Sequence, residues 1–411
     1  MIETEAQARA ADAADPLRNF RDRFVLPDGV IYLDGNSLGP LPRATRERLD
    51  AALRHEWGEG LIRSWNDADW IAAPARVGGK IARLIGAAPN EVVAADSTSV
   101  NLFKLLSAAV RARPGRGVIL TEAGNFPTDL YIAQGVAESI PGAEVRALPR
   151  EEVFDAIDSD VAVVMLTHVH YKTAARWDMA EITARAHAAG ALMLWDLSHS
   201  AGAVAVDLRA CDADLAVGCG YKYLNGGPGA PAFLFVAQPL QDGLSSPLSG
   251  WMGHASAFDF SDDYQPADGI QRFLCGTPPV LGLTALEVGV DIALEADMAD
   301  LARKSAALWN LFAARIDVRL AGYGFELISP RDPAARGSHI SLSHPEGYRI
   351  MQALIARGVI GDFRDPDVLR FGLTPLYLGH EDVWRAVEIL HSVMRDEAWR
   401  KQAERAPGRV T

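Results

Sequence analysis

Two charged side chains follow short apolar runs in the middle of the chain, where strands are predicted to end. Asp196 comes directly after Ala191–Trp195, and Lys222 follows the run that begins at Asp214. In open α/β sheets, ligands bind beyond the carboxyl ends of the strands. A carboxylate there either forms a turn or pairs with a cationic ring nitrogen of a cofactor. A lysine there is a candidate nucleophile, because burial and cationic neighbours would lower the pKa of its amine and suit it to a Schiff base.

Further polar residues accompany this pair. His199 lies three residues after Asp196, where it either contacts the same ligand or serves as an ordinary loop histidine. Ser97-Thr98-Ser99 precedes an apolar repeat over Val100–Arg111 that predicts a helix. Hydroxyls at a helix N-terminus either cap the helix or form a phosphate site, because free N–H groups and the helix dipole favour an anion there.

Two other segments place single residues where a small ligand could use them. Phe126-Pro-Thr-Asp129 follows the apolar run Val118–Leu120, so the phenyl ring could stack on a planar ligand while Asp129 accepts a hydrogen bond. Arg370 lies inside an apolar predicted strand, and a buried guanidinium needs an anionic partner. That partner is either a substrate carboxylate, held by two parallel hydrogen bonds, or a structural carboxylate of the protein.

Histidines and cysteines provide no metal or disulfide pattern. His168 and His170 alternate as paired metal ligands do, but no third ligand of matching kind accompanies them, so we expect no metal site. The three cysteines, Cys211, Cys219 and Cys275, form no C-x-x-C motif. We therefore expect free thiols in a reducing compartment.

The elements that must position these residues alternate between strand and helix. Asp178 is a predicted cap for a helix that runs to about Ala189 and ends at Gly190. The predicted strands around it are Val161–Leu166, Ala191–Trp195, Asp214–Val217 and Ala232–Val236. This order predicts an α/β fold with a mostly parallel central sheet flanked by helices.

Beyond about residue 290 the pattern becomes rich in helices, with strands predicted near Val318–Ile328, His339–Leu342 and Leu369–Leu373. We therefore predict a large domain over 61–290 and a smaller α+β domain over 291–411. Residues 1–60 are predicted to form an N-terminal arm and a segment that packs with the small domain.

Composition restricts the possible partners. The 411 residues include 40 Lys and Arg against 53 Asp and Glu, a formal charge of −13. Binding to nucleic acid or to an anionic membrane needs the opposite balance. The first thirty residues lack the apolar stretch of a secretory signal, and no apolar run approaches the ~20 residues of a membrane span. We expect a soluble, cytoplasmic protein of enzyme-like size.

Taken in order, these residues resemble the fold type I enzymes that use pyridoxal 5′-phosphate (PLP). Along their chains, those enzymes have phosphate-binding hydroxyls, then a stacking aromatic, an aspartate, a histidine and a lysine, in that order. The more specific resemblance is to the kynureninase family. The segments that resemble the family are Tyr32–Gly39, Phe126–Asp129, Trp195–Gly202, Tyr221–Gly229, Gly250–His254, Gly276–Pro279 and Leu369–Tyr377.

The resemblance implies a role for each residue. Lys222 would bind PLP as a Schiff base and act in catalysis with Tyr221 and Asp196. The implied cofactor-binding residues are Thr98, Ser99, Phe126, Asp129, Thr167, Asp196, His199, Tyr221, Lys222, Trp251 and Thr277, and the implied substrate-binding residues are Arg370, Asn36 and Ser37. Trp251 and Thr277 would reach the phosphate from the second subunit of a homodimer.

The implied reaction is hydrolysis of L-kynurenine to anthranilate and L-alanine, in tryptophan catabolism and NAD biosynthesis. Thr173-Ala174 departs from the Thr-Gly pair that relatives often have. Gly58 and Thr277 stand where animal relatives that favour 3-hydroxykynurenine tend to have His and Asn, which favours unsubstituted L-kynurenine here. Two alternatives stay open: a desulfurase-like or aminotransferase-like PLP enzyme of the same fold, and a non-catalytic binding protein.

Overall fold

The computed structural model describes residues 2–403, which divide into two compact units. The larger unit consists of Thr45–Tyr171 and Trp177–Leu294. The smaller unit contains the residues up to Ala44, Lys172–Arg176 and the residues from Glu295 on. The larger unit thus contains residues 45–60 and 291–294, and the smaller unit contains the short segment 172–176.

Strands and helices alternate through most of the described chain. The strands are β1 Ile31–Tyr32, β2 Val92–Ala94, β3 Val118–Glu122, β4 Glu144–Leu148, β5 Val161–Thr167, β6 Leu192–Asp196, β7 Leu215–Gly218, β8 Phe233–Val236, β9 Glu326–Leu327, β10 His339–Ser343, β11 Val359–Ile360, β12 Asp362–Arg364 and β13 Val368–Gly372. The helices are α1 Glu5–Ala13, α2 Arg43–Ala51, α3 Ser64–Asp67, α4 Ala73–Leu84, α5 Thr98–Arg111, α6 Pro127–Ser139, α7 Arg150–Val153, α8 Met179–Ala189, α9 Val280–Glu295, α10 Met298–Arg319, α11 Gly347–Ile355 and α12 His380–Arg395. Among these helices of residues 2–403, none has both the length and the apolar composition that crossing a bilayer requires.

The larger unit is built on a seven-stranded sheet in the order β2-β8-β7-β6-β5-β3-β4. The five strands from β7 to β4 in this order are parallel, as predicted, whereas β8 runs antiparallel to β7. Residues 219–232, between β7 and β8, form no helix. Parallel neighbours need a crossover, usually a helix, so the chain returns here as an antiparallel neighbour.

Both faces of this sheet are covered, which explains why its central strands are apolar throughout. Met193 and Trp195 of β6 belong to one core cluster, and Leu192 and Leu194 belong to the other. Helices α4, α8 and α9 contribute to the first cluster, and α5 and α6 contribute to the second. A strand buried on both sides cannot alternate with polar residues, so the polar groups collect at the strand ends.

The helix predicted after β5 is confirmed in detail. Asp178 caps α8 by accepting a hydrogen bond from the backbone N–H of Glu181 at 3.0 Å. Gly190 ends the helix with φ of 79°, in the left-handed region that glycine adopts at low cost. The polypeptide then enters β6, so these two local signals determine where Asp196 is placed.

The smaller unit contains a four-stranded antiparallel sheet in the order β12-β13-β10-β9, and β1 pairs with β11 in parallel. Of the strand predicted near Val318–Ile328, only Glu326–Leu327 form a strand, and α10 continues to Arg319. Ala174 has φ of 62° and is buried. The departure from the family's Thr-Gly pair therefore falls where the backbone conformation favours glycine.

Candidate active site

The larger unit contains a cavity of about 130 Å³ at the carboxyl ends of β5 and β6. Its lining consists of Ser97, Thr98, Ser99, Phe126, Thr128, Asp129, Thr167, Tyr171, Asp196, Ser198, His199, Tyr221 and Lys222. Of the residues predicted to bind the cofactor, all but Trp251 and Thr277 are in this lining. The parallel strand ends and the starts of α5 and α6 thus bring together segments that are far apart in the sequence.

Lys222 is buried in this cavity, where its Nζ lies 2.9 Å from Nε2 of His199. The same amine lies 5.8 Å from the centre of the Phe126 ring and 5.9 Å from that of Tyr221. A neighbouring side chain, rather than bulk water, therefore directs the amine. An amine in this setting is suited to covalent attachment of a carbonyl compound.

Tyr221 is the lysine's neighbour in sequence and in the cavity. Burial raises the pKa of its phenol, and Cys219 and Asp196 shift that pKa in the same direction. The hydroxyl therefore stays protonated at neutral pH. A protonated phenol can donate a hydrogen bond to an anionic group of a ligand.

Two carboxyl groups face each other in the cavity. Asp196 accepts a hydrogen bond from the backbone N–H of Ser198 at 2.8 Å, and Asp129 accepts one from the Thr167 hydroxyl at 3.1 Å. Burial raises the pKa of Asp129 well above its usual value, and the Asp196 carboxylate raises it further against the effects of Thr167 and Lys222. A cationic ligand beside these two carboxyl groups would offset the repulsion between them.

The start of α5 forms one side of the cavity, where the free N–H groups of the helix are suited to an anion. Ser97 caps the helix, because its Oγ accepts a hydrogen bond from the N–H of Val100 at 3.3 Å. Thr98 and Ser99 are the first two residues of α5. Their hydroxyls lie beside the free N–H groups of the first turn, so both kinds of donor are available to a ligand. Behind them, the buried Lys104 donates to the Phe273 carbonyl at 2.6 Å and pairs with Asp96 in the turn that precedes the helix.

The turn that carries Phe126 is supported by residues that sequence reasoning missed. Tyr171 packs against Phe126 edge to face, with ring centres 5.3 Å apart. Asn125 accepts a hydrogen bond from the Phe126 N–H at 2.7 Å. His170, a histidine interpreted only as a possible metal ligand, has its Nε2 3.0 Å from the Gly124 carbonyl of this turn. In the sequence, His170 could be noticed as a polar residue near a strand end. The structure shows that it contacts the backbone of this turn.

Trp251 and Thr277 lie in the larger unit but do not line the cavity. Trp251 is 38% exposed and contacts Phe258 and Phe260, with ring centres 5.6 Å and 6.5 Å away. Thr277 is exposed. Their role at a subunit interface stays a prediction.

The predicted substrate-binding residues lie in the smaller unit. Arg370, on β13, donates from Nε to Oδ1 of Asp362 at 2.7 Å and from Nη2 to the second oxygen of the same carboxylate. Ser37 lies between them: it accepts from Nη2 of Arg370 at 3.0 Å and donates to Asp362 at 2.7 Å. Of the two partners considered for Arg370, the structure thus contains the carboxylate of the protein, and the substrate carboxylate stays a prediction.

Two further charged groups complete what we call the Arg370 cluster: Asp34, Ser37, Asp362, Arg364 and Arg370. Arg364 lies 2.7 Å from Asp362. Burial and then the Asp362 carboxylate raise the pKa of Asp34 to about 7, although Ser37 and the two arginines oppose the shift. Neither Asp34 nor Asp362 was predicted as a site residue, although Asp34 lies in the segment Tyr32–Gly39 that resembles the family.

Asn36, in the same N-terminal segment, is fully buried. Within residues 2–403, neither its amide oxygen nor its amide nitrogen has a hydrogen-bond partner, and the same holds for Oγ1 of Thr374. Buried polar groups are normally paired because leaving them unpaired is costly. This part of the smaller unit is therefore suited to a polar group of a ligand.

Solved structures of this fold define the class of protein. An apo cysteine desulfurase from Thermococcus onnurineus NA1 matches with a TM-score of 0.78 over 92% of this chain and 98% of its own, at 18% identity. A mutant of C-DES with glycine covalently linked to the PLP cofactor matches with a TM-score of 0.74 over 90% of this chain and 98% of its own, also at 18% identity. Identities this low establish the fold alone, and the fold is that of the fold type I PLP-dependent enzymes, which confirms the predicted fold class.

Sequence relatives define the family. "Kynureninase" from Pseudomonas fluorescens is 52% identical over 402 residues, which cover 96% of this chain and 97% of that protein. "Kynureninase" from Burkholderia mallei (strain SAVP1) is 52% identical over 405 residues, 97% of each chain. The model of the kynureninase C-terminal domain matches residues 301–390. The chain belongs to the kynureninase family.

Proposed function

We propose that this protein hydrolyses L-kynurenine to anthranilate and L-alanine, as a step of tryptophan catabolism. The observation that carries the proposal is the cavity itself, in which the buried Lys222 amine lies beside an aromatic ring, a carboxyl pair and the hydroxyls of a helix N-terminus. The 52% identity to proteins named kynureninase supports the choice of substrate over other amino acids.

The residues of the cavity fit PLP. Asp129 and Asp196 form a buried carboxyl pair that needs a cationic partner, and a protonated pyridine nitrogen supplies one. Thr98, Ser99 and the Tyr221 phenol would hold the phosphate. PLP, when bound, supplies the electron sink for the reaction, and the protein contributes orientation and charge placement.

Each catalytic side chain would then have one task. Lys222 would hold the cofactor through its amine and, once displaced by the substrate, take the proton from the α-carbon. His199, 2.9 Å from that amine, would keep it directed. Asp196 would hold a proton on the ring nitrogen, and Phe126 would stack on the ring. Water then adds to the γ-carbonyl carbon, the bond between the β- and γ-carbons breaks, and one water is consumed for each anthranilate and L-alanine released.

Substrate recognition would come from the Arg370 cluster and Asn36. Arg370 would bind the α-carboxylate through its guanidinium, whose planar fork of N–H donors matches the geometry of a carboxylate. Ser37 would fix the orientation of this arginine through its two hydrogen bonds. The unpaired amide of Asn36 would contact a polar group of the substrate.

We also propose that the enzyme is a cytoplasmic homodimer in which Trp251 and Thr277 complete the phosphate site of the second subunit. The exposed aromatic cluster of Trp251, Phe258 and Phe260 supports such an interface. Gly58 and Thr277 favour unsubstituted L-kynurenine over its 3-hydroxy form. Light scattering gives the oligomeric state, and mixing a Lys222→Ala subunit with a Trp251→Ala subunit tests site sharing, since only a shared site regains activity in the mixture.

The main test follows anthranilate fluorescence when purified protein and PLP receive L-kynurenine. The wild type should produce anthranilate, and Lys222→Ala should lose at least about 10⁴-fold in turnover while it keeps the fold. The matched control, Lys401→Ala, removes an exposed lysine and should act like the wild type. Normal turnover by Lys222→Ala would contradict the assigned role of this lysine.

Absence of anthranilate from a protein that binds PLP would overturn the substrate. Assays for sulfide and keto acids would then test desulfurase and aminotransferase activity. Cys211 and Cys219 are poorly suited to act as the reactive thiol of a desulfurase, because both are buried and burial raises the pKa of Cys211 to about 11.

A further inference from the structure

The Arg370 cluster contains equal numbers of opposite charges. Asp34 and Asp362 contribute two carboxyl groups, and Arg364 and Arg370 contribute two guanidinium groups. Asp362 and Arg370 are almost completely buried. A substrate carboxylate that binds at Arg370 would be a third acidic group for two cations, and a buried excess of negative charge is unfavourable. Some group in the cluster must therefore compensate when the substrate binds.

Asp362 is poorly placed to compensate by taking up a proton. Burial opposes its ionisation, but hydrogen bonds from Arg370 together with the charge of Arg364 hold the pKa of Asp362 below its usual value. Its two oxygens accept bonds from Nε and Nη2 of Arg370 and from the Ser37 hydroxyl. Protonation would disrupt this arrangement, so Asp362 stays ionised.

Of the two carboxyl groups, Asp34 has fewer hydrogen bonds than Asp362. Its Oδ1 is buried and has no hydrogen-bond partner within residues 2–403. The groups that act on it are Asp362 and Arg364 of β12, Arg370 of β13 and Ser37 of its own segment. Tyr32 of β1 also faces it, and the Tyr32 phenol donates to the Leu38 carbonyl at 2.7 Å and stays neutral, since burial raises its pKa.

We propose that binding of the substrate's α-carboxylate at Arg370 is coupled to uptake of one proton by Asp34. The proton comes from solvent and adds to the Asp34 carboxylate. It returns to solvent when the product dissociates. The inference rests on the proposed role of Arg370 and deepens it, since it makes Asp34 a positioning residue for carboxylate ligands. The free-state pKa of about 7 sets the range in which the coupling is visible.

The sign of the pH dependence follows from linkage. Near pH 6 Asp34 is already protonated in the free enzyme, so binding takes up almost no proton. Near pH 8 it is ionised in the free enzyme and protonated in the complex, so binding takes up nearly one proton. Affinity for a carboxylate ligand should consequently fall about tenfold per pH unit above pH ~7.5.

The test is calorimetric titration of the PLP-loaded enzyme with 4-(2-aminophenyl)-4-oxobutanoate, the substrate without its α-amino group. This probe keeps the carboxylate but cannot replace Lys222 on the cofactor. At each pH, titrations in two buffers that lack a primary amine and differ in ionisation enthalpy give the number of protons taken up. The wild type should take up close to one proton at pH 8 and close to none at pH 6, and Asp34→Asn should take up none at either pH. Asp28→Asn, the same change at an exposed position, should match the wild type.

The outcomes separate this inference from the proposed function. Equal proton uptake by wild type and Asp34→Asn at pH 8 overturns the inference, while anthranilate production by the same wild-type preparation leaves the proposed function intact. A wild type that makes no anthranilate overturns the proposed function instead. If Asp34→Asn does not fold, the wild type alone decides, since equal uptake at pH 6 and pH 8 contradicts a role for Asp34.

Discussion

The cavity of the larger unit and the Arg370 cluster of the smaller unit each contain a pair of buried carboxyl groups. Asp129 and Asp196 form the first pair, and Asp34 and Asp362 form the second. In each pair burial and then the second carboxylate raise the pKa of one member, Asp129 in the first and Asp34 in the second. The two sites therefore share the same electrostatic problem.

They differ in what compensates the negative charge. The second pair lies beside two guanidinium groups, one of which forms two hydrogen bonds to Asp362. The first pair lies near the Lys222 amine and the Thr167 hydroxyl, and no guanidinium is among the main influences on the pKa of Asp129. A site short of positive charge is suited to a cationic ligand, whereas a site with two guanidinium groups is suited to an anion. The comparison supports the proposal that the ring nitrogen binds at the first pair and the substrate carboxylate at the second.

The largest expected effect separates the two members of the first pair. Asp196→Asn should lower kcat by about 10²–10⁴-fold, because an amide cannot hold the proton on the ring nitrogen. Asp129→Asn should have a much smaller effect, because the proposal places Asp196 rather than Asp129 at the ring nitrogen. The measurement is kcat at saturating PLP together with the absorption spectrum of the bound cofactor. Equal losses in the two variants would mean that the pair does not divide its roles in this way.

The next effect tests whether the second site binds an anion. Arg370→Lys keeps the charge but loses the planar fork, so KM for L-kynurenine should rise about 10–100-fold while kcat changes much less. Steady-state kinetics measure the separation of the two constants. Arg331→Lys is the control, because Arg331 pairs with Asp317 at an exposed position. An unchanged KM with a lower melting temperature would make Arg370 a structural ion pair only.

The smallest effect compares the pairs through the pH dependence of stability. The pKa values of Asp129 and Asp34 are raised in the folded state. As pH rises, the unfolded chain therefore releases these two protons near pH 4, at a lower pH than the folded protein does. The apo enzyme should therefore lose stability as pH rises, up to about pH 7 for Asp34. Asp34→Asn and Asp129→Asn should each reduce the fall in melting temperature between pH 5 and pH 8 by about 2–4 °C.

Loading with PLP sharpens this last test. Bound PLP should remove the part of the pH dependence of the melting temperature that comes from Asp129. The reason is that the ring nitrogen would compensate the negative charge of the first carboxyl pair, Asp129 and Asp196. The part that comes from Asp34 should remain. Thermal melts of apo and loaded protein, each with and without Asp34→Asn, measure the two parts. A loaded enzyme in which both parts disappear would contradict the assignment of PLP to the first pair.

Much of the larger unit could be predicted because its signals are local. The Asp178 cap and the Gly190 stop define α8, and apolar runs define the central strands. Parallel strands present their carboxyl ends at one edge, so the positions of Asp196 and Lys222 after such runs already indicated a shared site. The strand predicted near Val318–Ile328 was too long, because its first residues end α10 and only Glu326–Leu327 form a strand, and apolar residues in a short window suit a helix as well as a strand.

The sequence by itself determined the kind of chemistry: a lysine, an aspartate, a stacking ring and helix-start hydroxyls in the order of a PLP enzyme. Only the tertiary structure decided how the acidic residues pair. Asp34 lies in the N-terminal segment and Asp362 on β12, yet Ser37 and two arginines bring them into one cluster. Whether a carboxyl group is ionised depends on its burial and on charges within a few ångströms, and no local pattern specifies either. The sequence could therefore point to the cofactor, while the proton balance of substrate binding follows from the fold.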